Sequence, residues 1–410
     1  MKKFLALLLS LVMVLALVAC GDKKDDTNTD DQDNNEVTDF KVGFIMLHDE
    51  NSTYDLNFIN AAKEACETLG VEYTIVTNVP EGQECYDKAA ELADAGCNII
   101  FADSFGHEDY MIQAAKDFPD VQFCHSTGTK AHTEGLANYH NAFAAIYEGR
   151  YLAGIAAGLK TETNKLGYVA AKPFAEVISG YTAFYLGIKS VYENAWMEVQ
   201  YTGSWFDLSK ENEAAKQLIS DGCIIIGQHA DSTGAPQACQ EALKSGTTVY
   251  SIGYNIDMLA TAPDAALTSA TNNWGVYYTY AIAQAMRGQK VATNWVGGFD
   301  IGAVAITQLG SACAAGTAEK VAEVEKAIHD GTLQVFDTSK FTISTKCTDG
   351  SYRTDDNGKV LVACATDTDS NFANDTDNAI IDGAYQESYT QSAPSFVLRI
   401  DGIKELNANS

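Results

Sequence analysis

The sequence predicts an α/β protein built from two lobes, each a parallel sheet wrapped by helices, around a hinged cleft. Two observations carry this prediction. From Lys41 onward, short apolar runs alternate with segments of helical periodicity, which is the rhythm of a parallel sheet with crossover helices. The same rhythm restarts after a break near residues 129–140 and stops after Gly331.

The first set of elements is defined by run length and by glycine stops. The apolar runs are short enough for strands, whereas the amphipathic segments are helical in their spacing and end at Gly70 or Gly96. Strands are predicted in 41–47, 71–77, 97–104 and 121–126, and helices in 58–70, 82–96 and 108–119.

The second set repeats this build over a longer stretch. Helices are predicted in 142–160, 176–192, 209–222, 235–246 and 274–288, and strands in 164–171, 196–203, 223–230, 248–255 and 266–273. Since loops after parallel strands gather at one edge of a sheet, two facing lobes present two such edges to a ligand. The expected fold is therefore a clamp that closes on its ligand.

Beyond the signal peptide at 1–19 and the lipid anchor and tether at 20–39, we predict two lobes, each made of two segments of the chain, and a C-terminal extension. The first lobe takes 40–138 plus 256–290, and the second takes 139–255 plus 291–335. Residues 336–410 have strand and turn character without the alternating rhythm, and are expected to pack on the lobes as a C-terminal extension.

The N-terminus has the features of a lipoprotein signal peptide. Two lysines precede the apolar run Phe4–Ala19, which is too short to be a confident membrane span. It closes on "LVAC", which resembles the bacterial lipobox, so that Cys20 would be the lipidated N-terminus of the mature chain. The alternative is an ordinary secretory signal with an incidental cysteine.

An acidic tether follows the cysteine. Gly21–Asp39 holds eight acidic residues, two lysines and one aliphatic residue. Such a segment buries too little apolar surface to fold, and its charges repel each other, so we expect an extended linker between the membrane and the globular part.

Charge and cysteine content exclude some functions. The net charge of −28 argues against nucleic acid as a partner. The cysteines beyond Cys20 show no zinc-binding spacing, and we expect most of them to be small buried apolar residues. Cys347 and Cys364, which flank a turn-rich segment, are the one pair to test for a disulfide.

The loops that follow the predicted strands share a composition rich in aromatics, amides and carboxylates and poor in positive charge. That mixture suits a flat, uncharged ring, because aromatics stack on its faces and polar groups pair with its edge. The candidate ligand-binding residues are Asp49, Asn51, Tyr54, Asp55, Ser104, Phe105, Trp205, Phe206, His229, Asp231, Asn255, Asn272, Asn273 and Trp274.

Structural roles remain open for several of these residues. Adjacent Trp205 and Phe206 cannot both face the ligand, and we favour Phe206. For Tyr54, Phe105, His229 and Trp274, the alternative is a packing role. For Asp55, and for Asp207 beside Phe206, the alternative is capping of the helix that follows.

Catalytic and metal-binding patterns do not emerge. The sequence has neither a G-x-S-x-G elbow nor a Walker A motif, and nothing places a serine, a histidine and an aspartate together. His229 and Asp231 lie two positions apart, but no third metal ligand is near them in sequence. We expect no enzyme activity, no cofactor and no metal.

A family resemblance emerges at these loops. The stretches "YLAGIAAGLKTETNKLGYVAA", "SWFDLSKENEAAKQLISDG", "IIIGQHADSTGAPQACQEA", "YSIGYNIDM" and "LTSATNNWGVYY" resemble the basic membrane protein (BMP) family, the purine-nucleoside-receptor-like binding lipoproteins of ABC importers. The resemblance spans roughly Lys41 to Gly331. It implies a type I periplasmic-binding-protein fold with three crossings between the lobes, in agreement with the alternation above.

The resemblance also implies a ligand and partners. Family members stack a purine between aromatics of the two lobes, and Tyr54 in "TYD" loosely matches the first of these aromatics. Nucleoside binders have an aspartate and a lysine for ribose where this chain has Asn255 and Asn272, so a free base, or another small ring compound, becomes credible as the ligand.

The implied protein is a monomer, lipid-anchored at the extracytoplasmic face of the cell membrane, that binds a purine nucleoside or nucleobase and delivers it to an ABC permease. The alternative is a ligand-sensing receptor for a membrane histidine kinase.

Replacing the proposed lipidation site tests the anchor. We expect Cys20→Ser to release the folded protein from the membrane, because acyl chains rather than a spanning helix would hold it. Fractionation of cells that express the parent and the variant measures this, and an equally membrane-bound variant would contradict the lipoprotein interpretation.

Overall fold

Parallel strands in two sheets form the framework of the molecule. The computed structural model describes residues 39–342, 353–354, 360–361, 379–388 and 391–408. The predicted α/β class is confirmed, with strand and helix alternating through both sheets.

The first sheet has six strands, all parallel to their neighbours. Helices pack on both of its faces and fill two apolar clusters. In spatial order the strands are β11 (Asn294–Gly297), β5 (Tyr139–Ala144), β4 (Gln122–Ser126), β3 (Ile99–Ala102), β1 (Lys41–Ile45) and β2 (Glu72–Val76). The helices of this lobe are α1 (Thr53–Leu69), α2 (Gln83–Asp94), α3 (Glu108–Asp117), α4 (Ala131–Glu134) and α9 (Trp274–Met286).

The second sheet has seven strands, and only its first strand, β12, runs antiparallel to its neighbour. In spatial order the strands are β12 (Val304–Ile306), β10 (Ala266–Asn272), β9 (Tyr250–Tyr254), β8 (Ile225–His229), β6 (Lys165–Ala170), β7 (Trp196–Tyr201) and β17 (Ile403–Glu405). Its helices are α5 (Ile146–Lys160), α6 (Ala175–Val191), α7 (Leu208–Ser220), α8 (Gly234–Lys244) and α10 (Thr317–His329).

Short elements complete the described structure. Phe105–His107 and Phe299–Ile301 form single 3₁₀ turns. Two antiparallel pairs lie in the C-terminal extension, β13 (Arg353–Thr354) with β14 (Val360–Leu361) and β15 (Ile380–Ile381) with β16 (Ala384–Tyr385). Within the described residues, no helix is both long and apolar enough to cross a bilayer.

The chain passes between the two sheets three times, at positions that correct the expected lobe boundaries. Strand Tyr139–Ala144, which lies within the range expected for the second lobe, belongs to the first sheet, and so does Asn294–Gly297. Strand Ala266–Asn272, expected in the first lobe, belongs to the second sheet. The helix predicted to begin at residue 142 therefore starts too early. Strand Tyr139–Ala144 is buried on both faces, so its sequence lacks the polar–apolar alternation that would mark a strand.

The described part of the C-terminal extension packs on the second lobe. Strand β17 pairs in parallel with β7 and becomes the edge of the second sheet. The buried rings of Phe396 and Phe336, both in the extension, stack with 4.5 Å between centroids, and Phe336 contacts Tyr147 of helix α5 with 5.1 Å between centroids. Ala393 lies in an apolar cluster with residues of the segments that cross between the sheets, Ala144, Ile146 and Val304 among them. The extension therefore contributes to the core of the second lobe.

Seven cysteines lie in the described part of the chain. All seven are free thiols and six of them are buried, as the sequence indicates for small apolar residues. Cys347 and Cys364 lie outside the described residues, and so do the signal segment, Cys20 and the tether up to residue 38.

A substitution inside the extension measures how much it stabilises the fold. We expect Phe396→Ala to reduce the free energy of unfolding by about 3–5 kcal/mol, since it removes a fully buried ring. Denaturant unfolding of the soluble domain gives this value. Ile381→Ala, at an exposed position of the same extension, is the matched control and should change it by less than about 0.5 kcal/mol. Equal effects of the two substitutions would contradict an integral role for Phe396.

Candidate ligand-binding pocket between the lobes

The loops at the carboxyl ends of both sheets enclose one pocket. The space between its walls, including the open mouth, is about 410 Å³. The first lobe contributes Leu47, His48, Tyr54, Ser104, Phe105 and Thr127, and the second contributes Glu176, Trp205, His229, Asp231 and Tyr254.

Tyr54 is positioned by the start of helix α1. Ser52 is the N-cap, and its hydroxyl accepts a hydrogen bond from the Asp55 amide. This places Tyr54 in the first turn, where its hydroxyl donates to the carbonyl oxygen of Asp103 at 2.7 Å. One side of its ring packs against Phe58, with 4.8 Å between centroids, and Tyr54 also lines the pocket.

Two buried carboxyl groups, those of Asp55 and Asp103, lie next to Tyr54 on the first-lobe wall of the pocket. Burial alone would raise the pKa of Asp55, but hydrogen bonds from His48 and Ser52 outweigh it and lower that pKa. Burial and the adjacent Asp55 charge raise the pKa of Asp103 well above its usual value. Asp55 therefore carries the negative charge, and the proton of the pair resides on Asp103. The Leu47 amide, at the pocket, donates to Asp103 at 3.1 Å.

Thr127 lines the pocket in a strained conformation. Its φ angle is 85°, a value that a β-branched residue rarely adopts. Its amide donates to the Ala142 carbonyl at 2.8 Å, which ties the loop after β4 to strand β5. Strain of this kind persists where surrounding structure fixes it, and such positions cluster at ligand sites.

Asp231 is held at the pocket by the second lobe. The amide of Asn255 donates to its carboxylate at 3.1 Å, and the Asp231 backbone amide donates to the Trp205 carbonyl at 2.9 Å. Burial, followed by the charges of Glu211 and Asp55, raises the pKa of Asp231 well above its usual value. Asn255 adopts a left-handed backbone conformation with φ 68°, which asparagine tolerates better than most residues.

The second-lobe wall is backed by a buried arginine. The guanidinium of Arg150 lies 3.8 Å from the centre of the Tyr254 ring and donates to Tyr168. Burial and the Arg150 charge lower the pKa of His229 well below its usual value, so this imidazole is neutral. The Cβ of any other residue at Gly180 would lie 2.9 Å from His229 Nδ1, so glycine lets helix α6 approach the imidazole.

Aromatic rings from the two lobes meet at the mouth of the pocket. Phe105 of the first lobe is 43% exposed and Phe174 of the second is 38% exposed, yet their ring centroids lie 5.6 Å apart. Phe174 in turn contacts Trp205, and the Lys172 ammonium lies 5.3 Å from the centre of the Trp205 ring.

Direct hydrogen bonds between the lobes indicate a closed cleft. The backbone amide and the hydroxyl of Thr53, at the start of helix α1, both donate to the Asp231 carbonyl, at 2.9 and 3.0 Å. The side-chain amide of Asn57 donates to the Asn272 carbonyl at 3.0 Å.

Six of the fourteen predicted ligand-binding residues line the pocket: Tyr54, Ser104, Phe105, Trp205, His229 and Asp231. All six lie at the end of a strand, in the loop after a strand or in the first turn of the helix that follows, which is the carboxyl edge of a sheet.

The other eight lie elsewhere. Asp49 and Asn51 bond to each other in the loop after β1, and Asp55 lies behind the wall. Phe206 contacts the His48 ring at 5.5 Å rather than the pocket, and its neighbour Trp205 takes the place for which we favoured Phe206.

The four remaining residues serve the framework. Asn255 and Asn272 are buried, the first bonded to Asp231 and the second, through its backbone, to Asn57. Asn273 bonds to the Gly302 carbonyl, and Trp274 is core, stacked 4.5 Å from Phe58. Of the two proposed caps, Asp207 caps helix α7 by accepting from Lys210, whereas Ser52 rather than Asp55 caps α1.

Sequence reasoning missed five lining residues: Leu47, His48, Thr127, Glu176 and Tyr254. His48 lies in the loop after β1 and Tyr254 in "GYNID", both among the segments that follow predicted strands, so the sequence signal was available for both. Glu176 begins a helix, where an acidic residue is ordinary, and nothing local distinguishes it.

Comparison with known proteins places residues 43–338 in the family model described as "ABC transporter substrate-binding protein PnrA-like". A purine-binding protein of Brucella abortus is 39% identical over 243 residues, a match that covers 58% of this chain and 66% of that protein. A Haloferax volcanii protein, whose name gives it provisionally as a glucose-binding protein of an ABC transporter, is 32% identical over 300 residues, covering 73% of this chain and 72% of its own. The solved structure of an ABC transporter solute-binding protein from Conexibacter woesei superposes with a TM-score of 0.61 at 20% identity, covering 72% of this chain and 98% of its own.

Substitutions at Tyr54 distinguish a ligand-contacting ring from a packing ring. We expect Tyr54→Ala to weaken ligand binding at least about tenfold, because it removes a stacking face. Tyr54→Phe keeps the face and should bind within about threefold of the parent.

The matched control is Phe58→Ala, behind Tyr54 in the core. It should lower the free energy of unfolding by about 3–5 kcal/mol, more than Tyr54→Ala does. Calorimetric titration and melting of the unliganded proteins measure both properties. Normal binding by a strongly destabilised Tyr54→Ala would make Tyr54 a core residue.

Proposed function

The chain belongs to the BMP family of PnrA-like ABC transporter substrate-binding proteins, and we propose that it captures a purine base or nucleoside in the pocket between its lobes. Its fold and family are those of solute-binding proteins. The ligand is then passed to an ABC permease, and binding rather than chemistry is the task of the pocket.

The observation that carries this proposal is that both walls present aromatic rings and that the second-lobe wall adds two carboxyl groups. Tyr54 and Phe105 on the first lobe face a second-lobe wall with Trp205 and Tyr254, so a flat ring finds aromatic surface on two sides. Glu176 and Asp231 supply hydrogen-bond acceptors for the N–H groups of such a ring. Purine binding by the Brucella abortus relative, as its name states, supports the same ligand class.

The framework roles of two asparagines favour recognition of the base over recognition of the sugar. The side-chain amide of Asn255 is engaged by Asp231, and Asn272 is buried at the end of β10. Neither residue lines the pocket, so neither offers a new contact to ribose. The ring faces and the carboxyl groups remain the main source of binding energy.

A hexose is the second candidate ligand. A tryptophan face beside two carboxyl groups also suits a polyhydroxylated ring, since hydroxyls donate to carboxylates and the apolar face of a sugar packs on an indole. The name of the Haloferax volcanii relative supports this candidate.

Anchoring and transport complete the proposal. A lipid on Cys20 would hold the protein at the extracytoplasmic face of the membrane, and the acidic tether would allow the lobes to reach a permease. A receptor role toward a membrane histidine kinase is the alternative, and a kinase gene in place of permease and ATPase genes beside this one would favour it.

Calorimetric titration of the tether-free soluble domain tests the ligand class. We expect adenine and guanine to bind at micromolar or lower concentration, and glucose to bind at least about a hundredfold more weakly. We also expect adenosine to bind no more than about tenfold tighter than adenine, because the asparagines make no ribose contact. Binding of glucose without either base would replace the purine proposal, and a thousandfold preference for adenosine would overturn the prediction about the sugar.

A further inference from the structure

Glu176 is the one carboxyl group of the pocket whose oxygens are both unengaged. It makes no hydrogen bond and no ion pair with any residue that the structure describes, although it lines the pocket in the first turn of helix α6. Asp231, by contrast, accepts a hydrogen bond from Asn255 through its carboxyl group. Its backbone carbonyl accepts one from Thr53, and this second bond joins the two lobes. A partly buried carboxyl group without a partner is costly unless a ligand completes its hydrogen bonds.

We propose that Glu176 is a specificity-determining residue, which pairs through both carboxyl oxygens with the hydrogen-bonding edge of the purine and so selects among purines. This inference rests on the proposed function. It concerns a residue outside the loops that follow the sheet strands, on the helix that packs against His229.

The protonation state of Glu176 decides which edge it fits. An ionised carboxylate only accepts hydrogen bonds and matches two adjacent donors, such as N1–H and the 2-amino group of guanine. A protonated carboxyl group donates one bond and accepts another, which matches N1 and the 6-amino group of adenine. The same side chain can therefore favour either base.

The surroundings of Glu176 bring both states within reach near neutral pH. Burial raises its pKa to about 7, against the opposing charges of Arg150 and Lys172. The charged and titratable groups that face it from neighbouring elements are Tyr54, Arg150, Lys172, Asp231, Tyr254 and Glu387. Because the pKa is raised, Glu176 is protonated below about pH 7 and ionised above it.

The test is equilibrium dialysis of radiolabelled guanine and adenine against the soluble domain at about pH 6 and about pH 8. For the parent we expect the ratio of guanine affinity to adenine affinity to rise at least about tenfold between the two pH values. Glu176→Gln keeps one donor and one acceptor at every pH, so it should retain adenine binding, lose at least about tenfold for guanine at the higher pH, and show a ratio independent of pH.

Two further variants keep the outcome decisive. Glu176→Asp retains the titratable group on a shorter arm, so it should keep the pH dependence with weaker binding of both bases. Glu193→Gln, at an exposed position of the same lobe, should behave as the parent. An unchanged ratio and an unchanged pH dependence in Glu176→Gln would overturn the role of Glu176 while leaving purine binding intact. If the parent binds neither base nor their nucleosides, the proposed function itself fails and this inference with it.

Discussion

The contact between Thr53 and the Asp231 carbonyl is the constraint on which the pocket depends. Two donors from the start of helix α1 converge on one oxygen of the opposite lobe, and this sets the distance between the walls. With the walls at this distance, Phe105 reaches Phe174 at the mouth. A ligand can stabilise this arrangement only by binding the closed form more tightly than the open form. Rings that touch both walls satisfy that condition.

The electrostatic character of the pocket follows from the same closure. Bringing the lobes together places Asp231 near Asp55 away from water, and the negative charge of Asp55 helps to raise the pKa of Asp231. The positive charge of Arg150 lies against the Tyr254 ring, and Arg150 does not line the pocket. The pocket therefore offers the ligand no cation from this residue. Ligands with negative charge are therefore disfavoured, and neutral rings with N–H or O–H donors are favoured.

How far the sequence predicted this structure differs between the framework and the pocket. The alternation of strands and helices identified both sheets. Buried parallel strands are visible in the sequence as short apolar runs, and helix ends are visible as glycines. Strand Tyr139–Ala144 was misread because uniform burial erases periodicity. The sequence did not show which of Trp205 and Phe206 faces the pocket, because a small change in the loop backbone exchanges the directions of adjacent side chains. Glu176 was missed because its role arises only when the second sheet brings α6 beside strand β8.

The parallel pairing of β17 with β7 has a consequence for how the protein is made. Lys404 bonds to Glu198 across 206 positions of sequence, so the edge of the second sheet joins the last part of the chain to its middle. Contacts of such long range form late, since the loop between them must first be closed. The second lobe therefore reaches its final state only after strand Ile403–Glu405 has been synthesised and, for an exported chain, has crossed the membrane. A chain that stays incompletely folded until then remains suited to passage through a narrow translocation channel, because folding of the second sheet is completed only when β17 pairs with β7.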